Sequence, residues 1–195
     1  MPVIFLAACN NQEHKKAGNE HTAHTTTSGN NYCDSINNGF IKEDTLKGSP
    51  FRTAMATVNG THVHIEYSSP GVKGRTVWGG LVAYDKVWVT GAHKATSVQF
   101  GKEVEINGKK IPAGKYAFFT IPGKEKWTVI LNTRVDQHLA DDYNDKEDVI
   151  RLDVMPGEHT MTPRLTYAIN KINDKSGEII MQWEKLIIRI PFKTL

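Results

Sequence analysis

The chain is poor in the features that identify most functional classes at sight. Its 195 residues include two cysteines, Cys9 and Cys33, too few for a disulfide framework. No run of 18 apolar residues is present to form a membrane-spanning helix. Charge of neither sign dominates: 24 basic against 21 acidic residues leave a formal net charge of +3, which argues against a nucleic-acid binder. The nucleophile elbow G-x-S-x-G, a Cys–His pair with a supporting acid and a phosphate-cradling glycine loop are all missing, so neither nucleophilic catalysis nor nucleotide use has a motif behind it. There is no internal repeat and little 3.6-residue apolar periodicity, which weighs against helical folds. What remains is an ordinary globular composition, 39% hydrophobic and 23% charged, in a chain long enough to bury a core without a structural metal.

The N-terminus carries a signal of location. Val3 to Ala8 read VIFLAA, and Leu6-Ala7-Ala8-Cys9 fits the lipobox that precedes the lipidated cysteine of bacterial lipoproteins. Residues 1–8 are thus expected to be a shortened signal segment whose start lies upstream, and Cys9 the lipidated first residue of the mature chain. More than one acyl chain gives stable membrane attachment. The expected location is the bacterial cell envelope, by default the outer membrane, facing the periplasm or the cell surface. A Cys9–Cys33 disulfide in an unlipidated secreted chain is the alternative pairing. Residues 9–48 are rich in Asn, Thr, Ser, Gly, Lys and His without apolar period, which predicts a flexible tether. His14, His21 and His24, with Glu13 and Glu20, would bind metal there only adventitiously.

From Ser49 onward the pattern is all-β. Asn59-Gly60 between Phe51–Val58 and Thr61–Ser68 is a strong hairpin signal. Further candidate strands are Lys86–Thr90, Thr96–Ile106, Gly114–Ile121, Trp127–Thr133, Val149–Met155, Arg164–Ile172, Glu178–Trp183 and Leu186–Phe192. Asn107-Gly108, Pro122-Gly123, Pro156-Gly157 and Ser176-Gly177 punctuate them. About ten short strands with little helix predict a single antiparallel, jelly-roll-like β-sandwich over residues 49–195. Asp136–Lys146 is the one segment expected to form a helical turn. Alternation assigns Leu165, Tyr167 and Ile169, Ile179, Met181 and Trp183, and Trp127, Val129 and Leu131 to the core, and makes the last strand an edge.

A resemblance runs through the same segment. Tyr67-Ser68-Ser69-Pro70, Lys73-Gly74-Arg75, Trp78-Gly79-Gly80-Leu81-Val82, Val87-Trp88-Val89-Thr90-Gly91-Ala92, Ile111-Pro112-Ala113-Gly114-Lys115-Tyr116, Phe119-Thr120-Ile121-Pro122-Gly123 and Trp127-Thr128-Val129-Ile130 closely resemble a bacterial lipoprotein family known as domain of unknown function 2911. The resemblance implies an envelope protein and brings no activity with it.

The residues with chemistry to offer are histidines. On Thr61–Tyr67, period 2 puts Val63, Ile65 and Tyr67 on one face and His62, His64 and Glu66 on the other. Two imidazoles and a carboxylate so spaced form a donor set for zinc or copper. The pattern loosely resembles the His-x-His strand of metal-binding cupins, with Ile111-Pro112-Ala113-Gly114 echoing their second motif. A two-residue turn at Asn59-Gly60 would pair His64 with Met55 and His62 with Thr57, adding a thioether to that face. His93 and His138 are candidates for further imidazoles, and His159 reads as a surface loop residue. The competing reading of the His, His, Glu face is a solvated strand surface. Three weaker constellations stand beside it. The acidic run Asp136, Asp141, Asp142, Asp145, Glu147 and Asp148 lacks a calcium-loop spacing. Trp78, Tyr84, Trp88 and Trp127 would line a sugar-stacking groove if they were not core. Lys73, Arg75, Lys86 and Lys94 make the loops basic enough to clamp a carboxylate or phosphate.

Three functions fit these residues. The first is an anchored envelope lipoprotein that binds a metal ion or small ligand through His62, His64, Glu66 and His93. The second is a metal-dependent enzyme on a cupin-like scaffold using the same histidines. The third is a non-catalytic accessory subunit with an envelope protein partner. All three have a membrane contact through the lipid anchor and none has a nucleic-acid partner.

Overall fold

Two Asn-Gly pairs set local register as a type I′ turn requires, with both residues at positive φ: 48° and 70° at Asn59-Gly60, 49° and 78° at Asn107-Gly108. The first joins β1 (Phe51–Val58) to β2 (Thr61–Ser68), with Met55 opposite His64 and Thr57 opposite His62, the register that the turn length dictates. The structure, a computed structural model, describes residues 30–195. Its other strands are β3 (Thr96–Phe100), β4 (Val104–Ile106), β5 (Lys109–Ile111), β6 (Gly114–Ile121), β7 (Trp127–Asn132), β8 (Asp148–Val154), β9 (Gly157–Asn173) and β10 (Ser176–Thr194). They form a six-stranded sheet, β1-β2-β3-β6-β7-β8, and a four-stranded one, β5-β4-β10-β9, antiparallel throughout. The protein is therefore the two-sheet antiparallel sandwich that its strand pattern predicts.

The core lies between the sheets and includes all nine residues assigned to it by alternation. All four tryptophans meet there. Trp78 packs edge-on against Trp88, Trp127 and Trp183, and Trp88 stacks on Trp183 with ring centroids 5.7 Å apart. Trp78, Trp88 and Trp127 are thus core residues and not a groove. A smaller apolar cluster, Val89, Ala117, Phe119 and Ile130, sits on the outer face of β6 and β7, where Val87, Ala95 and Tyr143 help to cover it.

Several local expectations are corrected. Thr96–Ile106 is not one strand: it breaks at Gly101, β3 joining the six-stranded sheet and β4 the other. Lys86–Thr90 forms only a bridge, with Trp88 and Thr120 exchanging both backbone hydrogen bonds beyond the end of β3. Asp136–Lys146 has no helix beyond a 3-10 turn at Asp145–Glu147. Leu139 there takes φ 55°, and buried Gln137 turns its amide back onto the Arg134 carbonyl. The last strand is not an edge, because β10 lies between β9 and β4. A straight strand of 19 residues spans about 60 Å. Yet the Thr194 amide donates to the Lys175 carbonyl at 2.9 Å and Arg189 pairs with Glu178. β10 therefore doubles back on itself, and Glu184, at φ 56°, marks the bend between the two strands read from sequence.

The predicted tether is corrected over residues 30–48. Residues 1–29, with the signal segment, Cys9, His14, His21 and His24, lie outside the described residues. The chain from Asn30 to Gly48 is not a free spacer: α1 (Asn30–Asn37) and the turns after it form a strap docked on the sandwich. Cys33 and Ile36, three residues apart on one helix face, are buried. The Asn37 side chain both donates to the Arg164 carbonyl (3.0 Å) and accepts from its amide (2.8 Å), replacing a strand neighbour. Two buried arginines hold the rest. Arg52 pairs with Asp34 at 2.5 Å, and Arg164 meets Asp44 through both Nε and Nη2 at 2.9 Å. No 3.6-residue apolar stripe announces this segment, because polar contacts to distant residues hold it. Gly71 makes room for the second pair: a Cβ there would lie 2.5 Å from Asp44 Oδ2.

Breaking a buried ion pair by removing one partner costs about 3–5 kcal/mol. Asp44→Ala, which leaves the Arg164 guanidinium without its carboxylate, should lower the urea midpoint accordingly and make the Cys33 thiol reactive towards an aromatic disulfide reagent. An unchanged midpoint with Cys33 still protected would show that the strap is not held by this pair.

Candidate functional site

The outer face of the six-stranded sheet is divided. Its β6–β7 half is closed by the apolar cluster of Phe119 and Ile130, whereas its β1–β2–β3 half presents polar side chains. Cross-strand neighbours there are Thr53 and Glu66, Met55 and His64, Thr57 and His62, then Gln99 beside His64 and Ser97 beside Glu66. The alternation read from sequence is correct on both faces of β2: Val63, Ile65 and Tyr67 are buried, His62 is exposed, and His64 and Glu66 are half-buried.

The predicted ligands do not gather into one set. The His62 and His64 rings stand 6.1 Å apart at 57°, as alternate residues of one strand must. Glu66 is engaged by other residues. Its carboxylate takes the Lys115 ammonium at 2.5 Å and the Ser97 hydroxyl at 3.3 Å. His93 and His138 lie on separate loop segments joined by the Lys94–His138 bridge, both exposed. Among the described residues no three His, Cys, Asp or Glu side chains come together as a metal-holding group. His159 is on β9 and not in a loop, its ring bonded to the Thr160 carbonyl and the Gln182 amide.

What the fold does bring together is Glu66 and His93. They line an open pocket of about 410 Å³ with Lys94, Lys115, Ser97 and Asp136, while Phe51, Tyr67, Ala95 and Val135 supply apolar wall. That volume lies in the range of small-molecule sites. Each wall has a local cause. Period 2 on β6 points Lys115 outward, two residues before Ala117 of the covered half. The 90–95 loop is held by the Thr96 hydroxyl donating to the Thr90 carbonyl, and by the Trp88 indole donating to the Gly91 carbonyl. Thr90 and His93 both take positive φ, 51° and 66°, and Leu139, whose amide donates to the His93 carbonyl, takes 55°. A β-branched residue in that region is strained, and such strain persists only where surrounding contacts over-determine it. Here those contacts are the Thr96 hydroxyl and the Trp88 indole, which hold the loop that carries His93 and Lys94.

Electrostatics favour a charged Glu66. Partial burial pushes its pKa up, but the hydrogen bond and charge of Lys115, then the charge of His64 and the Ser97 hydroxyl, outweigh that and leave it below the ordinary 4.5. The pocket therefore holds an anion paired with a cation, with Lys94, His93 and Asp136 also in its lining. Sequence reading found Glu66, His93 and Lys94, named Asp136 only as part of an acidic run, and missed Lys115, Ser97 and Phe51 as site residues. Lys115 was visible only as an outward position on a strand whose neighbour, β3, is set by tertiary pairing.

Fold and site together define an antiparallel β-sandwich with a mixed-charge pocket on the outer face of its larger sheet. The model of the family described as "Protein of unknown function (DUF2911)" matches residues 49–192, and the chain belongs to that family. No curated protein and no solved structure matches it.

A carboxylate whose folded pKa is depressed contributes stability above its unfolded pKa and loses it as pH falls through the folded value. Glu66 should accordingly titrate below 4.5 in a carboxyl-carbon NMR titration, and Lys115→Met should move that titration upward. Coincident curves for the two proteins would refute the pairing.

Proposed function

We propose that the protein is an envelope lipoprotein, anchored through Cys9, whose sandwich captures a small molecule bearing a carboxylate and a hydrogen-bond donor, of about amino-acid size. The observation that carries this reading is the Glu66–Lys115 pair fixed in the rim of an open pocket with Lys94 and His93. Lys94 has no ion-pair partner among the described residues, so a ligand carboxylate would gain it along with Lys115. A ligand donor would face Glu66, and an apolar portion would lie on Phe51 and Val135. Binding fits better than turnover, because the one lining hydroxyl paired with a base, that of Ser97, donates to a Glu66 carboxylate that Lys115 holds below the ordinary 4.5, which makes it a weak base.

A specific observation favours one second reading, a soft metal on the neighbouring face. His64 Nε2 is buried without a hydrogen-bond partner, with His62 on the same strand and Met55 directly opposite. Two imidazoles and a thioether suit copper better than zinc.

Calorimetric titration of the protein with a panel of amino and hydroxy acids at pH 7 tests the first reading. Binding by at least one, weakened about tenfold or more in Lys115→Met and in Lys94→Ala, is the expected result. No heat from any member of the panel, or affinity unchanged from the wild type in both variants, would sink it. Elemental analysis of untagged protein against the His62→Ala/His64→Ala variant decides the second. Near-stoichiometric metal that vanishes in the variant supports it, and metal-free protein whose melting is unmoved by added copper or zinc removes it.

A further inference from the structure

A second concavity lies where the strap meets the loop after β2. It measures about 370 Å³ and is lined by Lys47, Gly48, Ser49, Gly71, Lys73 and Arg75. Three of these six are cations and none is an acid. The carboxylate beside them, Asp44, is already consumed by the buried Arg164 guanidinium, so it cannot neutralise the lining. Lys47, Lys73 and Arg75 form no ion pair among the described residues.

These cations are nevertheless held in place. Lys73 Nζ donates to the Leu46 carbonyl of the strap. Arg75 donates from Nε to the Val72 carbonyl at 3.2 Å and from Nη2 to the Gly71 carbonyl. Between them Lys73 and Gly74 take φ 48° and 68°, and the Arg75 amide closes the turn onto the Val72 carbonyl at 3.0 Å. Backbone carbonyls therefore position the side chains without cancelling their charge. Isolated basic side chains ordinarily pair with acids or extend into water. Three gathered around one hollow, two of them fixed, form a site prepared for a multivalent anion. The basic set named from sequence is divided in space: Lys73 and Arg75 belong here with Lys47, while Lys94 lines the other pocket.

We infer that this concavity is a binding site for a phosphate group, carried either by a soluble phosphorylated molecule or by a phospholipid headgroup. A tetrahedral anion with several acceptor oxygens satisfies a guanidinium and two ammonium groups arriving from different directions, which a planar carboxylate does not. The site is independent of the pocket of Glu66 and Lys115, and it exists only while the strap is docked, since Lys47 comes from the strap.

The test uses the full chain with Cys9→Ala, so that no acyl chain carries it to membranes. One arm is calorimetric titration with inorganic phosphate and with glycerol phosphate at low salt. The other is co-sedimentation with vesicles of phosphatidylcholine containing phosphatidylglycerol, against phosphatidylcholine alone. Lys73→Ala and Lys47→Ala are compared with Lys124→Ala, which removes the same charge at an exposed position elsewhere. Cys33 protection in every variant confirms that the strap stays docked. Binding in the soluble arm identifies a soluble phosphorylated ligand, and binding only to the anionic vesicles identifies the headgroup. In either case affinity should fall about tenfold or more in Lys73→Ala and be unchanged in Lys124→Ala. Absence of binding in both arms, or equal losses in Lys73→Ala and Lys124→Ala, would overturn the site.

Discussion

Arg164 sits on β9 with no exposed surface, and much of the molecule is arranged to make that tolerable. Moving a guanidinium out of water costs several kcal/mol unless its donors and its charge are met. Asp44 supplies the opposite charge, and the carbonyls of Leu46, Gly48 and Ser69 accept the remaining hydrogen bonds. Three of those four partners come from the strap and one from the end of β2. The strap is thus a structural component that the sandwich needs, not a leash attached to it. Its helix contributes Cys33 and Ile36 to burial, and Asn37 meets the backbone of Arg164 on the side where β10 does not pair with it. The family match begins at residue 49, directly after the strap, so it does not include the strap residues that satisfy Arg164.

The same division of labour explains the outer face of the larger sheet. An antiparallel sheet exposed on one side shows alternating polar residues, and β2 does so with His62, His64 and Glu66. β6 breaks the alternation because Ala117 and Phe119 are covered by the 87–95 loop and by Tyr143. Tyr143 is fixed by its hydroxyl, which donates to Asp148 at 2.6 Å and receives Arg151 at 2.9 Å; burial and then the Asp148 carboxylate push its pKa well up. The boundary between the covered and the open halves of the face is the pocket. Strain at Thr90 and His93 belongs to that boundary, where a loop must turn sharply to cover one half and leave the other accessible.

Two sites of different character then follow from one scaffold. The pocket of Glu66 and Lys115 carries charges of both signs and an apolar wall, which suits a small amphoteric ligand. The strap concavity carries one sign only and suits phosphate. The proposed ligand capture and the separate phosphate contact are compatible on one frame, with the sandwich rigid and the loops and strap as the recognition surface.

What was legible in the sequence was whatever depends on short range. The Asn59-Gly60 turn dictated the β1–β2 register to the residue, and period-2 alternation assigned both faces of β2 and the core face of β7, β9 and the first half of β10, because the pleat enforces it locally. The family resemblance also rested on contiguous motifs. What only tertiary structure decided was every contact between distant residues. Glu66 was read as a partner of His62 and His64 because they share a strand face, but β3 brings Lys115 within reach of it instead. Thr96–Ile106 was read as one strand because nothing local shows which sheet each half joins. The segment 30–48 reads as a spacer because its polar residues show no period, and polarity marks a spacer only until Arg52 and Arg164 provide charges that its Asp34 and Asp44 carboxylates meet.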